Sequence, residues 1–211
     1  MDATAHNSWY NRVFASFYDK VMAHSETKIL QEHRKRLLSI LQGKILEIGC
    51  GTGINFPLYS KGATVIACEP SVAMFEKAQV AAKSQDIQAE INLVNMGLES
   101  DVLYKLVKKE SLDAVVCTLV LCTIPDLNAA IKEIKYFLKP GGKLLVLEHI
   151  KAHSDTGMLL QNTLNPLWNL CADGCNLNRP TDLELKKAGL KVIEEEFFYE
   201  ILPFYSATMV K

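Results

Sequence analysis

Apolar residues recur along this chain with two different periods, and the alternation between them predicts the fold. Residues 8 to 22 carry Trp9, Val13, Phe17 and Val21 at spacing four, flanked by Tyr10, Phe14, Tyr18 and Met22. That period places them on one face of a helix. Residues 25 to 41 repeat the pattern and stop at Gly43, a residue suited to ending a helix. From residue 44 the apolar positions fall in short runs near 44–48, 63–68, 90–95, 112–118 and 143–149, which read as buried strands. Helical segments near 54–59, 71–84, 101–108 and 126–138 separate them, the last beginning at Pro125-Asp126. Strand and helix in alternation specify a parallel sheet with helices on both faces and ligands at the carboxyl ends of the strands. Residues 191 to 211 hold two β-rich runs parted by Leu202-Pro203, an expected antiparallel pair that closes the sheet.

The first strand, Ile45, Leu46 and Ile48, leads into Gly49, Gly51 and Gly53. Glycine lets the backbone turn sharply and approach a ligand. Glu69 ends the second strand twenty residues after Gly49, where a carboxylate can accept from both hydroxyls of a ribose. A dinucleotide turn needs its third glycine five positions after the first, and Ile54 stands there. Glu47 beside the turn would repel a pyrophosphate, whereas it suits a ligand carrying an ammonium and a sulfonium. S-adenosylmethionine has both.

With these residues the chain resembles the class I S-adenosylmethionine-dependent methyltransferases. Ser111-Leu-Asp113 through Val120 resembles that family's fourth strand, and Leu138-Lys-Pro140-Gly141-Gly142 through Leu147 its turn into the fifth. The resemblance implies an α/β, Rossmann-like three-layer sandwich: a mostly parallel seven-stranded sheet with a C-terminal antiparallel pair. It implies S-adenosyl-L-methionine as cofactor and S-adenosyl-L-homocysteine as product. The cofactor residues would be Glu47, Gly49, Cys50, Gly51, Gly53, Asn55, Glu69, Pro70, Ser71, Met74, Met96, Gly97, Leu98, Thr118 and Leu119. Family members often place an acid in the adenine loop where Leu98 stands, and Glu99 is the neighbouring acid.

A single domain is expected: N-terminal helices over 1–43, a cofactor core over 44–149, an insertion over 150–189 and closing strands over 190–211. The N-terminal stripe fits a helix packed on the domain, a lid, or a helix lying on a membrane surface. Only Arg12 and Lys20 give it positive charge, so peripheral membrane contact would be weak. No run approaches a membrane span and no signal peptide is visible, so a cytoplasmic location is expected.

Charge changes the picture by exclusion. Lys plus Arg total 23 and Asp plus Glu 24, which disfavours nucleic acid as partner. Six cysteines at spacings that fit no zinc pattern read as reduced thiols, and no metal is expected. Methyl transfer from a sulfonium is an in-line displacement with a neutral leaving group, so it needs a base only if the nucleophile arrives protonated. Glu148 and His149 are the candidate catalytic pair.

Leu46 through Phe56, Val116 through Cys122, Glu148-His149, Asn165-Pro-Leu-Trp168 and Asp173-Gly-Cys-Asn176-Leu resemble the methyltransferase-like family seven thiol S-methyltransferases. The resemblance implies a small thiol acceptor, with Tyr18, Trp168, Asp173 and Cys175 as candidate substrate residues. That family's N-terminal hydrophobic anchor is not matched here. The opening Tyr10-Asn11-Arg12 and Phe17-Tyr18-Asp19 also resemble phosphatidylethanolamine N-methyltransferases and quinone C-methyltransferases. A non-catalytic S-adenosylmethionine-binding protein is the remaining alternative. Oligomeric state is not encoded in any of these patterns.

Overall fold

The computed structural model describes residues 28–172, 174–200 and 202–211. Its sheet has seven strands in the order β3-β2-β1-β4-β5-β7-β6. These are β1 (Gly43–Ile48), β2 (Ala63–Cys68), β3 (Glu90–Val94), β4 (Leu112–Thr118), β5 (Leu138–His149), β6 (Lys191–Tyr199) and β7 (Pro203–Val210). The five strands β1 to β5 pair in parallel, and β7 runs antiparallel to both neighbours. The expected mostly parallel sheet and its closing antiparallel pair are therefore present.

Six α-helices among the described residues flank the sheet: α1 (Lys28–Leu38), α2 (Val72–Ala81), α3 (Asp101–Leu106), α4 (Leu127–Phe137), α5 (Asp155–Cys171) and α6 (Thr181–Lys187). Successive strand side chains point to opposite faces, so the central strands feed two cores. Leu46, Ile48, Val115 and Cys117 pack with Leu103, Ile131, Ile134 and Leu185 from α3, α4 and α6. Ile45, Val116, Leu145 and Leu147 pack on the other face with Leu30, Leu37 and Leu38 of α1, Phe56, and Ala78 of α2. That is the three-layer arrangement expected.

Several boundaries shift, each for a local reason. The helix expected over 54–59 is a single 3-10 turn, Phe56–Leu58, with Pro57 in its first turn. Pro140-Gly141-Gly142 is no separate turn before the fifth strand. The strand starts at Leu138, whose partner is Leu112, and the ladder is interrupted until Lys143 pairs Ala114. Gly141 absorbs the irregularity at φ 77°. The insertion over 150–189 is mainly helix, α5 and α6, with Pro166 inside α5. The helical stripe over 8–22, with Tyr18 on it, lies outside the described residues. No described helix is long and apolar enough to cross a membrane.

Candidate active site

The chain leaves β1 through three glycines at positive φ, Gly49 at 64°, Gly51 at 57° and Gly53 at 86°. They share a backbone conformation but not a purpose. A Cβ on Gly49 would stand 2.4 Å from Val120 Cγ2, and one on Gly53 2.5 Å from the Phe56 ring. A Cβ on Gly51 would meet nothing within 4 Å. Gly49 and Gly53 therefore also let the fold close against its own side chains. Gly51 alone borders open space that a ligand can enter. Cys50 between them is buried, its N–H donates to Cys68 O at 3.0 Å, and burial pushes its thiol pKa up.

Glu69 faces this turn. Its Oε2 accepts from Gly51 N–H at 2.9 Å and its Oε1 from Ser71 N–H at 2.8 Å. Both carboxylate oxygens are therefore held in place by backbone N–H groups of the turn and of the start of the next helix. Asn95 steadies the same corner from β3's end, donating to Glu69 O at 2.8 Å. Ser71 accepts from Met74 N–H as the N-cap of α2. Met74, Met96 and Leu98 are buried beside it, Pro70 and Glu99 are exposed, and a Cβ on Gly97 would meet nothing.

Glu47 is placed differently from its neighbours. Its side chain is buried, Oε1 accepts from Asn55 Nδ2 at 2.7 Å and Oε2 from Tyr59 OH at 2.9 Å. Burial lifts its carboxyl pKa to about 7, opposed by those two hydrogen bonds and by the Arg34 charge. Arg34 Nη1 donates to Asn55 Oδ1 and to Thr118 Oγ1, both at 2.9 Å, and Asn55 Nδ2 also reaches Thr118 Oγ1 at 3.0 Å. One buried polar network thus ties α1 to the ends of β1 and β4. Arg34 and Tyr59 carry no sequence signal for this role. Arg34 would have read as one more polar position of an amphipathic helix.

The ends of β4 and β5 form the other half. Leu119 adopts φ 57°, a conformation costly for a branched side chain. The turn is held because Leu119 N–H donates to Leu147 O at 2.8 Å, and Val120 and Leu121 N–H both donate to Glu148 Oε1 at 2.8 Å. Glu148 is fully buried, and burial raises its carboxyl pKa. Its Oε1 braces the loop, while Oε2 has no hydrogen-bond partner among the described residues.

His149 ends β5 with Nε2 2.8 Å from Cys175 Sγ. Cys175 Sγ also lies 3.6 Å from Cys122 Sγ and accepts from Trp168 Nε1–H at 3.3 Å. The Cys122 thiol hydrogen bond is the main force holding the Cys175 pKa below the ordinary thiol range, with His149 and Trp168 adding to it. The same contact, with burial, pushes Cys122 up. Arg179 donates to the carbonyls of Leu121 and Ile124, fastening the insertion to the loop after β4. Asn165 Oδ1 accepts from Leu177 N–H at 2.7 Å. Of the candidate substrate residues, Trp168 and Cys175 are thus brought together, while Tyr18 and Asp173 lie outside the described residues. Spacing alone hid Cys122 and Arg179 from this cluster.

Residues 18–195 match a methyltransferase domain family. The chain is 35% identical over 156 residues to thiol S-methyltransferase TMT1B of Rattus norvegicus, a match covering 72% of this chain and 62% of that protein. It is 32% identical over 184 residues to thiol S-methyltransferase TMT1A of Homo sapiens, covering 86% of this chain and 73% of that protein. The chain therefore spans less than two thirds of the rat relative and somewhat more of the human one. A SAM-dependent methyltransferase structure from Thermotoga maritima superposes with a TM-score of 0.66 at 22% identity, covering 97% of this chain and 100% of that one.

Proposed function

The chain belongs to the methyltransferase domain family, and from that premise we propose that it transfers a methyl group to a small thiol. When bound, S-adenosylmethionine supplies an electrophilic methyl on a sulfonium. The residues present fit it: Gly51 leaves room beside the turn, and Glu69 is an acidic group fixed by backbone N–H groups at the end of β2, where a ribose would lie. Met74, Met96 and Leu98 would flank the adenine, and the Glu47–Asn55–Thr118 network would border the methionine end.

The observation that carries the thiol reading is the junction of Trp168, Cys175 and His149. The segment that resembles the thiol enzymes is folded directly onto the end of β5. There it can bound an acceptor at the carboxyl edge of the sheet, the side on which parallel sheets bind ligands. Holding the acceptor sulfur in line with the methyl can contribute ~7–11 kcal/mol through proximity and orientation. A free thiol of pKa about 8.5 is already partly ionised at neutral pH, so no strong base is required. The two relatives, both thiol S-methyltransferases, support the same acceptor class.

A panel of small thiols, amines and phenols offered with isotopically labelled methyl donor tests the proposal. Label should accumulate in a thioether product. Transfer to amines or phenols with none to thiols would overturn it.

A further inference from the structure

Three donors of metal-binding type converge where the cofactor half ends. Cys122 follows β4 by four residues, His149 closes β5, and Cys175 lies between α5 and α6. One donor atom from each lies within 4.8 Å of the other two, and all three residues are buried. They come from three separate elements, 27 and 26 positions apart in the chain. No local spacing pattern could announce them, and the expectation of no metal was drawn from spacing and from the place of the cysteines in or beside central strands.

We propose that Cys122, His149 and Cys175 bind a zinc ion through two thiolates and one imidazole, leaving a fourth position for the sulfur of the acceptor. The acceptor half of this proposal rests on the thiol reading above.

Tetrahedral zinc has Zn–S near 2.3 Å and Zn–N near 2.0–2.1 Å, which sets neighbouring sulfurs about 3.8 Å apart and sulfur and nitrogen about 3.5 Å apart. The Cys122–Cys175 distance of 3.6 Å already matches an edge of that tetrahedron. His149 Nε2, at 2.8 Å from Cys175 Sγ, needs to swing out by roughly 0.7 Å. Two sulfurs and one imidazole are a donor set that suits zinc. The backbone is organised around the two sulfurs. Asn176 donates from N–H and from Nδ2 to Cys122 O at 3.0 and 3.1 Å, and Asn169 Nδ2 donates to Gly174 O at 2.8 Å and to Cys175 O at 3.3 Å. The Trp168 indole N–H on Cys175 Sγ is an outer contact of the kind that orients a ligating thiolate. Among the described residues the cluster holds three ligands and no fourth. Structural zinc sites are closed by four protein ligands, whereas catalytic ones keep a position open.

The chemistry balances without a further reactant. The acceptor thiol releases its proton to solvent on binding the ion. A lone pair on its sulfur forms the new carbon–sulfur bond as the methyl–sulfonium bond breaks, and that bond's electron pair remains on the departing sulfur. The thioether product carries no charge, binds zinc weakly and leaves the fourth position free.

The test uses the full chain purified under reducing conditions and stripped by a chelator. Zinc is then titrated against a chromophoric competitor, and cobalt(II) is substituted to read thiolate-to-metal absorbance. The wild type should take up one equivalent and show the thiolate band. Cys122→Ser, Cys175→Ser and His149→Asn should each weaken zinc binding roughly 100-fold or more. Cofactor affinity by calorimetry should stay within about twofold in all three, which separates ligand loss from misfolding. No stoichiometric metal in the wild type, or equal affinity in the variants, overturns the site. Thiol turnover at an undiminished rate by stripped protein overturns the zinc role and leaves the thiol acceptor standing. One equivalent of zinc with transfer only to amines keeps the metal site and overturns the acceptor half.

Discussion

The two ends of the sheet's carboxyl edge are built on opposite plans. At the β1–β2 end, the glycine turn and the carboxylate that faces it lie within about twenty residues of each other, and backbone N–H groups bind that carboxylate, Glu69. At the β4–β5 end, the groups come from positions 122, 149, 168 and 175, and side chains bind one another. A site made by a turn is local and depends on backbone conformation. A site made by side chains from separate elements depends on the packing that brings those elements together. The two should therefore fail in different ways when altered.

The largest effect is expected at Glu148, where the acceptor end is held up. Glu148→Ala strands the Val120 and Leu121 N–H groups in a buried loop and should cost about 4 kcal/mol of stability by denaturant titration. Loss of less than about 1 kcal/mol would mean that the loop does not depend on this carboxylate.

Glu47 sharpens the contrast through pH. Burial raises its folded pKa to about 7, from 4.5 for a free carboxyl. Below 4.5 both folded and unfolded states keep the proton, and the group's contribution is fully favourable. As pH rises toward about 7 the unfolded chain ionises first, so stability falls, by on the order of 3 kcal/mol. Glu47→Gln should flatten the stability profile across that window in the ligand-free protein. Parallel wild-type and variant profiles would contradict the burial argument.

Glu69→Ala should weaken S-adenosylmethionine binding ~100-fold by calorimetry, since two charge-assisted hydrogen bonds to the ribose are lost. Equal affinity would refute the ribose assignment. The smallest effect is expected at Gly51→Ala. The left-handed conformation costs alanine about 1 kcal/mol of stability, and the added methyl enters the ligand space, reducing cofactor affinity roughly tenfold. A variant that loses stability but no affinity would move Gly51 into the company of Gly49 and Gly53.

The cofactor end was legible because turn chemistry is written locally. Positive-φ glycines and a strand-ending acid leave their mark within a short window, and Gly49, Gly51, Gly53 and Glu69 all fall where the pattern placed them. Even there the pattern gave three glycines one purpose, while their surroundings divide them between packing and open space. Arg34 and Tyr59 escaped notice because a buried partner, Glu47, defines their role, and burial is not a property of a short window.

Period and glycine placement in the sequence determined a parallel sheet covered by helices on both faces, its closing antiparallel pair, and the kind of cofactor turn it carries. Those follow from local conformational preference and from which face of each element must leave water. Only the tertiary structure decided that Glu148 braces a loop, that Glu47 is enclosed, and that Cys122, His149 and Cys175 meet. Contacts between residues tens of positions apart are selected by packing across elements, and that selection leaves no spacing to read.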